Sequence, residues 1–304
     1  MIEITIMIEG QDGLNWSRWQ RLARAAEDLG FAGLFRSDHY TNANPPDKDA
    51  LELWTSLTWL ADNTERLVFG PLVTPFSFRE PTMTARMASA VDDLSGGRLI
   101  LGLGAGWQDR EHDMFGHQLL NVTGRMDRLE EGLQVVSALL QSDEPVDFHG
   151  DYYELNQATI LPRPQRPGGP PILVGGNGPR RTLPLAAHYA DEWNGVFSTP
   201  AAYADLNSQL DELLVANGRA PEDLRRSLMV GTLFGRTAQE VRDKLAARDT
   251  DAQTLRDRGL VVGSGEEFAD QIHAYEQAGA SRIMLQWLEL DNLDGLAAMA
   301  DAVL

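Results

Sequence analysis

The 304-residue sequence contains no cysteine, so disulfides, thiolate-ligated metals and cysteine nucleophiles are excluded together. Basic side chains are scarce: 26 Lys and Arg stand against 45 Asp and Glu, a formal charge of -19. Such a surface repels phosphate backbones and anionic bilayers, which argues against nucleic-acid and membrane partners. No apolar run approaches the length of about 18 residues that a spanning helix needs. The opening Met1-Ile2-Glu3-Ile4-Thr5-Ile6-Met7-Ile8 lacks a basic n-region and a long apolar core, so the expected location is the cytoplasm. No group of histidines and carboxylates shows metal-ligand spacing, and no low-complexity tract interrupts the chain.

What is present is ordinary for a globular domain: 43% hydrophobic and 23% charged residues, enough apolar material for a sizeable core. Short β-rich runs alternate with segments of helical period, the pattern of repeated βα units and a parallel sheet. Strands are predicted at 2–8, 31–36, 66–70, 98–102, 172–174, 192–196, 228–234 and 282–288. Helices are predicted at 17–30, 50–63, 82–95 and 124–141, with further helical patterns in the second half. Capping-box spacing at Ser17/Gln20, Thr237/Glu240 and Ser264/Glu267 marks three helix starts. The count of eight strands predicts a single (β/α)8 TIM-barrel domain over 1–304, a length such barrels commonly reach. The stretch 143–171 breaks the pattern with six prolines and the pair Tyr152-Tyr153. It reads as an insertion after the fourth helix, carrying a small hairpin at 148–155, and is either a surface loop or a lid.

A barrel of this kind builds its site at the C-terminal ends of the strands. Four rim loops stand out: Ser37-Asp38-His39-Tyr40, Pro71-Leu72-Val73-Thr74-Pro75, Gly104-Ala105-Gly106-Trp107 and Gly175-Gly176-Asn177-Gly178-Pro179. His39 is the only histidine at a strand end, and imidazole is the side chain suited to proton transfer near neutral pH. It is the candidate acid/base, with a hydrogen-bonded structural imidazole as the bland alternative. Asp38 beside it need not pair with it. His112, His117, His149, His188 and His273 lean structural, although Glu111-His112 follows the strand-four loop. Gly175 to Gly178 before a helix starting near Pro179 would aim backbone N–H groups and a dipole end at an anion. A plain tight turn would need the same residues. Arg79, Arg110, Arg180 and Arg181 are cationic candidates near the rim. Gly102-Leu103-Gly104-Ala105-Gly106 has its third glycine one residue too early for a dinucleotide fingerprint; its glycines would instead let a flat ring approach the backbone. Trp107 and Trp193 are the tryptophans placed to line a substrate pocket.

Taken in order, Ser37-Asp38-His39-Tyr40, Arg79-Glu80-Pro81, the run 92–116 (DDLSGGRLILGLGAGWQDREHDMFG) and the run 170–194 (PPILVGGNGPRRTLPLAAHYADEWN) resemble the luciferase-like flavin and F-420 family. The Ser-Asp-His-Tyr and Gly-Ala-Gly-Trp segments look closer to its F-420-dependent subgroup than to its FMN subgroup. The resemblance implies a (β/α)8 barrel holding a deazaflavin or flavin ring at its mouth, against a bulge with a non-prolyl cis peptide at Pro71-Leu72. It implies coenzyme contacts from Asp38, Leu72, Val73, Thr74, Gly106, Trp107 and Arg110, phosphate held by Gly175, Gly176, Asn177 and Gly178, proton transfer by His39, and a homodimer. There are departures: the family's glucose-6-phosphate dehydrogenases carry a catalytic glutamate where this chain has Trp107, and a tryptophan where it runs Thr41-Asn42-Ala43-Asn44. Hydride transfer between coenzyme F-420 and a small organic substrate is the expected activity. The rivals are an FMN-dependent monooxygenase using O2, a non-catalytic flavin-binding protein, and phosphate-ester isomerisation by a strand-end glutamate.

Overall fold

A computed structural model describes residues 2–304. In chain order the first half contains β1 (Glu3–Ile8), α1 (Trp16–Asp28), β2 (Gly33–Arg36), α2 (Leu53–Asn63), β3 (Val68–Pro71), β4 (Thr74–Pro75), α3 (Pro81–Ser95), β5 (Leu101–Gly104), α4 (Asp109–Phe115) and α5 (Val122–Gln141). A hairpin, β6 (Val146–His149) and β7 (Glu154–Ala158), precedes β8 (Ile172–Gly175) and α6 (Thr182–Tyr189). Then come β9 (Glu192–Val196), α7 (Pro200–Ala216), β10 (Arg225–Phe234), α8 (Ala238–Ala247), α9 (Ala252–Asp257), β11 (Val261–Gly263), α10 (Gly265–Gln277), β12 (Arg282–Gln286) and α11 (Leu293–Val303). The parallel order β3-β2-β1-β12-β10-β9-β8-β5-β4 closes on itself, because β3 and β4 belong to one segment and Phe69 bridges to Leu99. The eight barrel positions are the eight strands read from the sequence. Beyond them, β11 pairs only with the end of the long β10, at Thr232 to Phe234.

The period-two alternation of a strand sorts the side chains into two cores. Along β1, Ile4, Ile6 and Ile8 face the surrounding helices, while Met7 points inward with Phe35, Leu173, Met229 and Met284. Each outward isoleucine taken out of water contributes about 1.5–3 kcal/mol. The barrel floor is closed by charge: Arg282 donates to Glu192 and, at 3.0 Å, to Glu3. Burial pushes the Glu192 carboxyl up, against the pull of Arg282.

Local details differ from the sequence reading. Helix α1 is capped by Asn15, which accepts from the Arg18 N–H at 3.1 Å, rather than by Ser17. Thr237 caps α8, and Ser264 makes no side-chain cap bond. The fourth strand begins at Leu101, later than expected. The insertion does contain a hairpin, its tip fastened by Glu131 of α5 accepting from the Asp151 and Tyr152 N–H groups, both at 2.9 Å. No residue of 143–171 lines the mouth cavity.

Candidate active site

A cavity of about 350 Å3 opens at the C-terminal ends of the strands. It is lined by Met7 of β1, by Glu9 and Gln11 after it, by Ser37, Asp38 and His39 after β2, and by Leu72, Val73 and Pro75 at the bulge. Gly106, Trp107, Gly175, Gly176, Asn194, Val196, Phe197 and Met229 complete it. Eight of the residues expected at the site therefore meet in one place: Asp38, His39, Leu72, Val73, Gly106, Trp107, Gly175 and Gly176.

Strand β2 ends at Arg36, whose side chain leaves the barrel to be buried against α1 and α2. Its guanidinium donates to Ser56 Oγ and to the Leu51 carbonyl, and burial lowers its pKa to about 10. The chain then turns Ser37, Asp38 and His39 to the cavity, the last two each to a different charged partner. Asp38 accepts from Arg79 Nε at 2.9 Å and Nη2 at 2.7 Å, and from Thr74 Oγ1 at 3.2 Å. His39 Nδ1 meets Glu111 Oε1 at 2.8 Å, while Glu111 Oε2 accepts from the Tyr40 N–H at 2.9 Å. Glu111 is buried on α4, so both its oxygens are spent fixing the His39 loop. Burial lowers the His39 pKa, but the Glu111 hydrogen bond and charge outweigh it and hold the imidazole above its ordinary value. Trp107, 60% exposed, meets the His39 ring edge-on at 5.7 Å. An imidazole held at Nδ1 presents Nε2 as its remaining proton-transfer atom.

The cis peptide of the bulge lies at Leu72-Val73, one residue later than expected. The close approach of Pro71 and Val73 accounts for two glycines otherwise than by ring approach. A Cβ at Gly102 would lie 2.1 Å from the Pro71 carbonyl oxygen, and one at Gly104 would lie 2.5 Å from Val73 Cγ2. These glycines make room for the bulge, whereas Gly106 borders the cavity itself.

Other expected site residues have structural work. Trp193 is not a pocket residue: it points outward from β9, stacks on Tyr203 of α7 at 5.3 Å and donates Nε1–H to the Gly176 carbonyl at 2.8 Å. Period two sends it away from the barrel interior while Asn194 turns inward. Thr74 is buried behind Asp38 and does not line the cavity. Arg110 staples the 41–47 loop to α4 by donating to the Asn42 carbonyl at 2.8 Å and pairing with Asp47. That bond, helped by Thr41, pulls Asp47 down to about 2. The Asn177 amide braces the neighbouring strand, donating to the Val196 carbonyl and accepting its N–H at 2.9 Å. Helix α6 starts at Thr182, three residues after Pro179, and Arg181 pairs with Asp127 of α5.

Glu9, Gln11, Asn194, Phe197 and Met229 escaped the sequence reading. The rule used for the other rim loops, applied to the end of β1, would have found Glu9 and Gln11. The described residues hold no cluster of His, Asp and Glu able to bind a metal and no helix long and apolar enough to cross a membrane.

A parallel barrel whose mouth gathers a carboxylate-held histidine, a bulge and a glycine turn defines a small-molecule enzyme-type site. The profile of the luciferase-like monooxygenase family matches residues 3–254, and the chain belongs to that family. It is 28% identical over 297 residues to an F-420-dependent glucose-6-phosphate dehydrogenase of Intrasporangium calvum, covering 86% of this chain and 85% of that one. With the F-420-dependent hydroxymycolic acid dehydrogenase of Mycobacterium tuberculosis it shares 32% over 175 residues, 56% of this chain. That match spans 46% of the mycobacterial protein, and the chain matches about half the length of the first curated relatives. Among solved structures, an F-420-dependent secondary alcohol dehydrogenase in complex with an F-420-acetone adduct has the same fold, with a TM-score of 0.87, 19% identity and coverage of 99% and 98%.

Proposed function

We propose that this chain is an oxidoreductase that moves a hydride between a small organic substrate and C5 of the deazaflavin coenzyme F-420, with His39 donating or accepting the accompanying proton. The observation that carries the reading is the His39–Glu111 pair set inside the mouth cavity. The names of the two curated relatives above, both F-420-dependent dehydrogenases, support the choice of coenzyme.

The residues present fit a flat ring. Gly106, Gly175 and Gly176 contribute wall without side chains, and Leu72 and Val73 an apolar surface. Gly176 stands at φ +125, a conformation open to glycine, and a Cβ on Gly178 would lie 2.8 Å from Thr182 Oγ1. The Gly175 to Gly178 turn before α6 is the proposed phosphate site. When bound, the coenzyme supplies the redox chemistry, and the protein supplies position and electrostatics. Glu111 keeps the His39 ring oriented and its Nε2 free to exchange a proton with substrate. Arg79 and Thr74 hold Asp38 at the rim. Trp107 closes the histidine side of the cavity with apolar surface; a glutamate at this position would suit glucose 6-phosphate oxidation, so a different substrate is expected.

The family description as monooxygenases keeps the FMN reading as the alternative. Titration of the purified apoprotein with F-420, FMN and FAD, followed by fluorescence, separates the two: F-420 is expected to bind most tightly, and equal or tighter FMN binding overturns the proposal. Light scattering tests the homodimer that the family implies.

A further inference from the structure

The residues lining the mouth cavity include two carboxylates, Glu9 and Asp38, and no lysine or arginine. Asp38 is neutralised by the two-pronged contact with Arg79. Glu9 has no cationic partner among the described residues. Its Oε1 accepts from Gln286 Nε2 at 2.7 Å and its Oε2 from Gln11 Nε2 at 2.9 Å. Gln11 is itself fixed, accepting from Ser37 Oγ at 2.7 Å, and Ser37 Oγ accepts the Gly10 N–H at 2.9 Å. Neutral amides thus orient the Glu9 carboxylate without cancelling its charge. That charge is felt across the cavity, where it adds to the groups raising His39.

The remaining surface is apolar. Met7, Leu72, Val73, Val196 and Met229 line it, and Trp107 and the 42%-exposed Phe197 offer aromatic faces. Asn194 on the floor carries a buried amide oxygen with no hydrogen-bond partner, a further acceptor rather than a donor. An anionic group entering this cavity would shed water next to a fixed negative charge, where His39, when protonated, is already paired with Glu111. A hydroxyl or ammonium would instead meet an oriented acceptor.

We propose that Glu9 is a specificity-determining charge filter on the β1 side of the mouth cavity, across the barrel from the Gly175 to Gly178 turn, admitting hydroxyl- or amine-bearing substrates with an apolar body and turning away substrates that carry a carboxylate or phosphate ester. This rests on the reading of the mouth as the substrate site.

Benzylamine, benzyl alcohol and benzoate share one ring and differ in charge, so they serve as probes. Their binding is read by saturation-transfer NMR at pH 7, in parallel on the F-420-loaded and the coenzyme-free protein. The expected order is amine, alcohol, benzoate, with amine favoured over benzoate by about tenfold or more. Glu9→Gln should bring the two within about threefold by restoring benzoate, while Glu9→Asp, which keeps the charge, should keep the order. Benzoate binding the parent as well as benzylamine does, an unchanged order in folded Glu9→Gln, or no binding of any probe overturns the filter. Should Glu9→Gln fail to fold, the parent and Glu9→Asp decide. Failure of F-420 itself to bind would sink the coenzyme reading and leave the coenzyme-free arm to judge this one.

Discussion

At the floor of the barrel, Arg282 is shared between Glu192 and Glu3, and Arg225 adds a second contact to Glu3 at 2.8 Å. At the mouth, Asp38 and His39 have partners of opposite charge on the protein, while Glu9 is held by amides alone. The floor joins strands to one another. The mouth places a proton-transfer group and a bare carboxylate around a cavity. Buried charge by itself therefore says little about function; what distinguishes the two ends is whether the charges are used up inside the protein.

Four experiments test that contrast. The largest effect is expected at the floor: Arg282→Met removes the cation and strands the buried Glu192 carboxylate, at a cost of about 3–5 kcal/mol in chemical denaturation. Coenzyme affinity of the folded fraction should not change, and a change beyond a few-fold would mean the two ends are coupled. At the mouth, His39→Asn should lower turnover by about 10² or more while leaving coenzyme affinity within a few-fold. A fully active variant at saturating substrate would return His39 to a structural role.

Gly176→Val should weaken coenzyme binding up to about thirtyfold by disturbing the glycine turn; because valine is strained at φ +125, the melting temperature should fall while the circular dichroism spectrum stays that of the folded barrel. Parent-like affinity in the folded variant would place the phosphate elsewhere. The smallest effects are in pH dependence. Because Glu111 holds the His39 pKa above its unfolded value, the parent's rate profile should inflect above about 6.5, and Glu111→Gln should move that inflection down. The same raised pKa stabilises the fold below about pH 6.5, and this contribution is lost as pH rises through the folded value. The stability gap between the parent and His39→Asn should accordingly shrink as pH rises above about 6.5, and a gap that widens contradicts the assignment.

Much of the barrel was legible in the chain. The eight strand positions follow from short β-rich runs between helical patterns, and the rim loops follow from their C-terminal ends, where Asp38, His39, Val73, Gly106, Trp107 and Gly176 lie. Where the reading slipped, it lacked facing. Trp193 and Asn194 are adjacent on β9, and only the strand's orientation decides which of them turns toward the cavity. Arg110 and Asn177 sit at the rim as expected, yet their polar atoms are taken by Asn42, Asp47 and Val196.

By itself, the sequence determined the alternation of strand and helix, the absence of thiol chemistry, and a histidine at a strand end, because period, composition and local turn residues act over a few neighbouring positions. Only the tertiary structure decided that Glu111, 72 residues away along the chain, closes on His39, that Arg79 neutralises Asp38, and that among the described residues the Glu9 carboxylate is held by amides rather than by an ion pair. Those pairings depend on barrel closure, which brings distant strand ends to one rim, and no local pattern encodes which charge will find a partner there.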